Sequence, residues 1–166
     1  MLPRAPADAV VALRSLGRRY REVLVAPGDE ASIDELAARN GSAGRSALDE
    51  VLAATRTITF LGRALEQVLL EDDPVLHPAV ASQDERDWPS ATGTVHERVS
   101  ELAWEADALA DRVERVSAED WSRRGRVAGH DATSSAAEIL WDAVDAAVAH
   151  LRAVERTLAE VAPPRR

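Results

Sequence analysis

Residues 135–161, SAAEILWDAVDAAVAHLRAVERTLAEV, carry apolar side chains at Leu140, Val144, Ala147, Leu151, Val154, Leu158 and Val161, at alternating steps of four and three. That spacing keeps them on one face of a helix with about 3.6 residues per turn, so the stretch predicts a helix with one continuous buried stripe. Ser135, with Glu138 three residues on, has the pattern of a capping box at its start, and Pro163-Pro164 ends it. A stripe of this length needs partners. Residues 94–116 repeat the pattern with Val95, Val99, Leu102, Ala106, Leu109, Val113 and Val116. Two further amphipathic helices are expected, over about 7–25 (Val10, Leu13, Gly17, Tyr20, Leu24) and about 46–70 (Leu48, Val51, Ile58, Leu61, Leu65, Val68, Leu69, with Thr55 and Gly62 in the stripe). Ser32 with Glu35 marks a short extra helix over about 33–39, ended by Asn40-Gly41. No stretch alternates with period two, and the chain has one Phe and one Tyr, so no sheet is expected.

These elements make an all-α fold, a four-helix bundle in one domain over 1–166 with its core over about 7–161. The connection from Glu71 to Thr92 is polar, contains Pro74, Pro78 and Pro89, and is far longer than the about 2–8 residues that join antiparallel helices. A connection of that length can run back along the bundle, making the second and third long helices parallel with one crossover.

Composition narrows the chemistry. The chain has no cysteine, which rules out disulfides and thiolate metal ligands. Its net charge of −9, with 29 acidic against 20 basic residues, opposes nucleic-acid binding. The cluster Arg14, Arg18, Arg19 and Arg21 is expected to be a solvated helix face. The first residues carry no apolar run suited to a signal peptide or membrane span, so a cytoplasmic protein is expected.

Metal sites in helical bundles are built from inward-facing side chains, and a helical ligand pair needs a spacing of three or four. His77, His96, His130 and His150 offer no such pair. His77, His96 and His130 are expected to be exposed, whereas His150 lies at the edge of the last stripe. Asp142 and Asp145 are three apart, a pair that can bind Mg²⁺ or share a proton but that also suits a solvated edge. No nucleophile motif, phosphate-binding glycine loop or zinc motif occurs.

The segment from about Ser46 to Val154 resembles the DinB-like proteins of actinobacteria, a superfamily that includes mycothiol-dependent maleylpyruvate isomerases and related thiol S-transferases. The resemblance rests on the order and spacing of Glu71-Asp72-Asp73-Pro74, Asp120-Trp121, Arg124-Gly125-Arg126 and His150-Leu151. It implies the crossover bundle, a homodimer, and a divalent metal held by one histidine of the second long helix and two, four apart, of the last. Here those positions fall at Ala53 or Ala54, and at Asp145 and Ala149; shifting the last helix by one residue gives Ala146 and His150 instead. Neither register supplies three ligands, and alanine cannot coordinate, so no metal and no cofactor are expected.

Two functions follow as expectations. One is a pseudoenzyme that binds a small apolar molecule or a low-molecular-weight thiol, or serves as an interaction module, with a pocket lined by Ala53, Ala54, Thr55, Asp145, Ala149 and His150. The other is an enzyme of altered mechanism, a thiol S-transferase or isomerase, or an acid–base catalyst using Asp145 and His150. Residues five apart on a helix point about 140° apart, which counts against a shared cavity. Trp104 and Trp141, off or beside their stripes, suit either a subunit interface or the lateral edge of the core.

Overall fold

The computed structural model describes residues 4–25, 32–81 and 90–162. Pro89, Pro163 and Pro164 lie outside them. Four long helices carry the fold: α1 (Pro6–Val23), α3 (Ala47–Leu70), α4 (Val95–Val113) and α5 (Ala136–Val161), with the short α2 (Ile33–Ala37) between α1 and α3. The last three long helices begin at capping boxes formed by Ser46 with Asp49, Thr94 with Glu97, and Ser135 with Glu138. Each box satisfies two backbone donors that a helix start leaves unpaired. At Ser32 only the serine half forms, accepting from the Asp34 amide. The Asp34 carboxylate instead takes the Val95 amide at the start of α4, 2.7 Å away.

α1 packs on α4 and α5, and α3 packs on the same two. The directions follow from who meets whom. Asp49 at the start of α3 accepts from the Ala91 amide just before α4, and Gly62 further along α3 faces Leu109 of α4. Those two helices are therefore parallel, as the long connection predicts. α5 runs against α3, because Glu50 meets His150 while Arg123, ahead of α5, reaches the Val68 carbonyl. α1 runs against α4, with Gly17 beside Ala103 and Arg14 paired to Asp111.

The expected stripes are the core. Leu140, Val144, Ala147, Leu151 and Val154 of α5 are buried, and so are Val95, Val99, Leu102, Ala106, Leu109 and Val113 of α4. α4 stops at Val113, leaving Val116 half-buried beyond it. Burying one such leucine stabilises the fold by about 1.5–3 kcal/mol. Among the described residues no helix is long and apolar enough to cross a membrane.

The bundle also has a small sheet that the sequence does not predict. β1 (Val75–Leu76) pairs in parallel with β2 (Arg124–Val127), which pairs antiparallel with β3 (Thr133–Ser135). Strands of two to four residues are too short to show an alternating pattern. The sheet closes the end of the bundle where α3 ends and α5 begins, with Leu76 and Val127 buried beneath it. Most of the residues that carry the family resemblance build this floor. Arg123 approaches Asp72 at 3.5 Å, Arg126 holds Asp73 at 3.2 Å, and Arg124 holds Glu138 at 3.1 Å. Gly125 is required by packing: a Cβ there would lie 2.9 Å from Leu76 Cγ and 3.1 Å from Val68 Cγ2. Trp121 packs against the core from the adjoining turn.

Candidate functional site: an Arg45–Glu50–His150 cluster

The six residues expected to line a pocket do not share one surface. Ala53 and Ala54 are fully buried, and buried Thr55 donates its hydroxyl to the Val51 carbonyl at 3.0 Å. Ala149 and Asp145 are exposed on the far side of α5. Both Asp145 oxygens accept from Arg4, at 2.6 and 2.7 Å. The Arg4 guanidinium lies 3.5 Å over the Trp141 ring, whose indole N–H donates to the Arg4 carbonyl. Asp145 thus ties the N-terminal segment to α5 and is not brought to His150. The helical angle between them is the cause. The shifted register is the one that faces α3: Ala146 is buried, and His150, one turn later on the same face, reaches across the seam.

What His150 reaches is Glu50, a residue the sequence reading passed over. Glu50 is the one charged side chain buried among the described residues. Its Oε2 lies 2.7 Å from His150 Nδ1, and its Oε1 lies 2.9 Å from Arg45 Nε. The turn before α3 sets Arg45 in place. The Gly41 amide donates to the Arg45 carbonyl, Gly44 takes a φ of +76° that favours glycine, and the Ser42 amide and hydroxyl donate to Glu160 of α5. The signal that could have found Glu50 is its spacing: Ala47, Val51 and Ala54 stand at −3, +1 and +4 from it, all buried.

One carboxylate bridges a permanent guanidinium cation and an imidazole, the arrangement that a buried charge needs to offset its desolvation. Tyr20 lies near it, its hydroxyl donating 2.7 Å to the Ala147 carbonyl. Burial, and then the charge of Glu50, push the Tyr20 hydroxyl above its ordinary pKa, so it stays protonated. In the tautomer that donates from Nδ1 to Glu50, Nε2 is left as the acceptor, the arrangement a general base needs.

A three-ligand metal centre does not fit these residues. Among the described residues no group of three or more His, Cys, Asp or Glu side chains is placed to hold a metal ion. Glu50 and His150 offer two donors, already engaged with each other and with Arg45, and Ala54 and Ala146 offer none. His77, His96 and His130 are exposed. His77 Nδ1 accepts from the Ala79 amide, capping a short turn. Asp142 beside α5's exposed edge has its carboxyl pushed up, first by burial and then by the charges of Asp145 and Glu138.

Two grooves lie elsewhere. One of about 510 Å³ runs between α3 and α4, with Leu65, Leu69, Leu109, Val113 and Val116 among its walls. A smaller one of about 260 Å³ lies where α1, α2 and α4 meet, beside Leu24, Asp34 and His96. Neither is lined by any of the six expected pocket residues.

No protein-family model matches the chain, and no curated protein matches it in sequence. Among solved structures it is similar to YfiT from Bacillus subtilis, described as a probable metal-dependent hydrolase with an unusual four-helix bundle topology. The TM-score is 0.68 and the identity 11%, over 96% of this chain and 92% of that one. At this identity the likeness bears on fold alone, and it shows that this chain has the four-helix-bundle fold that the DinB-like resemblance implied.

Proposed function

We propose that this chain is a DinB-like bundle that has lost the three-histidine metal site and works without a metal, as a cytoplasmic, homodimeric binder of a small apolar molecule or low-molecular-weight thiol. The observation that carries this reading is the Arg45–Glu50–His150 cluster, in which the two ligand-capable side chains on the α3–α5 seam are spent on each other and on a guanidinium. A ligand-binding role is supported by the groove between α3 and α4, whose volume of about 510 Å³ lies within the range of small-molecule sites.

The second reading, an acid–base catalyst, is favoured by one contact. Glu50, not Asp145, orients the His150 ring, so an imidazole base in this chain would draw its tautomer from Glu50.

A thermal-shift screen separates the readings. The metal-free binder is expected to show no stabilisation by Zn²⁺, Ni²⁺ or Mn²⁺ and a concentration-dependent rise in Tm with at least one apolar ligand or thiol. Saturable stabilisation by a metal that disappears in His150→Ala would overturn it.

A further inference from the structure

We infer that the groove between α3 and α4 binds an amphipathic carboxylate, a molecule with an apolar chain or ring and one carboxylate head, and that Arg112 holds the head. The inference rests on the ligand-binding reading and names the class of ligand. Gly62, on the groove, lies about 18 Å along α3 from Glu50, so the site is separate from the Arg45–Glu50–His150 cluster. Its walls suit an apolar body: Leu65, Leu69, Leu109, Val113 and Val116, with exposed Leu70 at the lip. Val116 ends the apolar stripe of α4, yet the helix stops at Val113, and this side chain walls the groove outside the core.

Gly62 keeps the space open. Glycine inside a helix is destabilising relative to alanine, so its place there asks for a packing or functional reason. At Gly17 packing supplies one, because a Cβ would lie 2.6 Å from Ala103 Cβ. At Gly62 it does not: the nearest atoms, Leu109 Cδ1 and Arg112 Nη2, would lie 3.5 and 3.6 Å away, ordinary van der Waals distances, and Gly62 has no positive φ. The Arg112 guanidinium thus reaches from α4 to α3 across the groove. Neither it nor Arg115 makes a hydrogen bond or ion pair among the described residues. Of the acidic residues on the groove, Asp111 is held by Arg14 at 2.8 Å, and Asp120 accepts from the Ser117 hydroxyl at 2.7 Å. Among the described residues that line the groove, two unpaired guanidiniums therefore face one unpaired carboxylate, that of Glu66, and an anion is the complement. The negative end of α3, which would repel an anion, is covered by Arg123, which donates to the Val68 and Glu71 carbonyls. A guanidinium takes a carboxylate through two parallel N–H donors, which fixes the head while the apolar walls take the body.

Calorimetric titration of the full-length chain tests this with probes that share one chain and differ in the head: decanoate, decan-1-ol and decylammonium. A fourth probe, 4-phenylbutyrate, sets a ring against the chain. Wild type is expected to bind at least one of the two carboxylates at about one per chain, at least about tenfold more tightly than the alcohol or the ammonium. Arg112 is exposed, so Arg112→Gln leaves the fold intact; it is expected to lose that advantage of about tenfold and to leave the alcohol unchanged. Gly62→Leu, with helix content verified by circular dichroism, is expected to block the carboxylates and the alcohol alike, and Gly62→Ala to raise Tm without ligand. Carboxylates that bind no more tightly than the alcohol, or equally well in Arg112→Gln, would overturn the inference. Carboxylate binding that survives a folded Gly62→Leu would also overturn it, as would a Gly62→Ala Tm below wild type. If decan-1-ol binds and neither carboxylate does, the ligand-binding reading stands and this inference fails; if no apolar ligand or thiol binds at all, that reading fails too.

Discussion

Replacing Glu50 by alanine removes the carboxylate that Arg45 and His150 share, and the cost can be worked from burial. Breaking a buried ion pair by deleting one partner costs about 3–5 kcal/mol, because the other charge is left without a counter-charge. The side chains of Arg45 and His150 are 24% and 26% exposed, so water recovers part of their solvation. The expected loss is therefore about 2–3 kcal/mol. For a domain of this size each kcal/mol moves Tm by about 2–4 °C, which gives a fall of about 4–12 °C. The exposed helical pair Arg18–Glu22 supplies an internal control: Glu22→Ala is expected to cost only about 0.3–0.5 kcal/mol. Urea unfolding with a double-mutant cycle between Glu50→Ala and His150→Ala isolates the coupling across the seam. A Glu50→Ala variant within about 0.5 kcal/mol of wild type, the usual span of a surface change, would refute the claim that the cluster clasps α3 to α5.

Gly17→Ala puts a Cβ 2.6 Å from the Ala103 Cβ, where α1 and α4 cross, and is expected to destabilise by about 1–3 kcal/mol despite its better helix propensity; recovery when Ala103→Gly is added, read by thermal melts, checks that the clash is the cause. Acid should loosen the helix starts. Burial pushes Asp49 up, but the amides of Ala91 and Ser46 and the Ser46 hydroxyl outweigh it and hold Asp49 below its ordinary value; the Ser135 amide, opposed by burial, holds Glu138 down likewise. Groups depressed on folding stabilise the fold above their unfolded pKa of about 4, and that contribution is lost as pH falls through the lower folded value. Tm should therefore fall more steeply below about pH 4 in wild type than in the pair Asp49→Asn with Glu138→Gln, and parallel curves would contradict this. If the proposed homodimer forms through the 68% exposed Trp104, Trp104→Ala will shift the protein to a later elution volume in size-exclusion chromatography, and an unchanged volume removes that face.

The long helices were legible because each repeats one spacing over several turns, and the last of them also starts at Ser135, a capping-box serine. The crossover was legible from length alone, since 24 residues of α3 span about 36 Å and a short turn could not return the chain to its start. The sheet was not, because its strands owe their pairing to the loops they sit in and to Gly125 lying against Leu76. The site was half legible. His150 stood at the edge of a stripe and drew notice, but its partner Glu50 is a charged residue inside an apolar arc, and charge patterning alone assigns such a residue to solvent. The register of α5 was open by one residue in the sequence, and burial of Ala146 against exposure of Asp145 and Ala149 shows which face meets α3.

The central claim is that this bundle works without a metal. Elemental analysis of the untagged protein, grown in medium replete with zinc, nickel and manganese and purified without chelator, tests it most directly. The account predicts far less than one metal ion per chain for every element. About one ion per chain, lost on His150→Ala or Glu50→Ala, would contradict it.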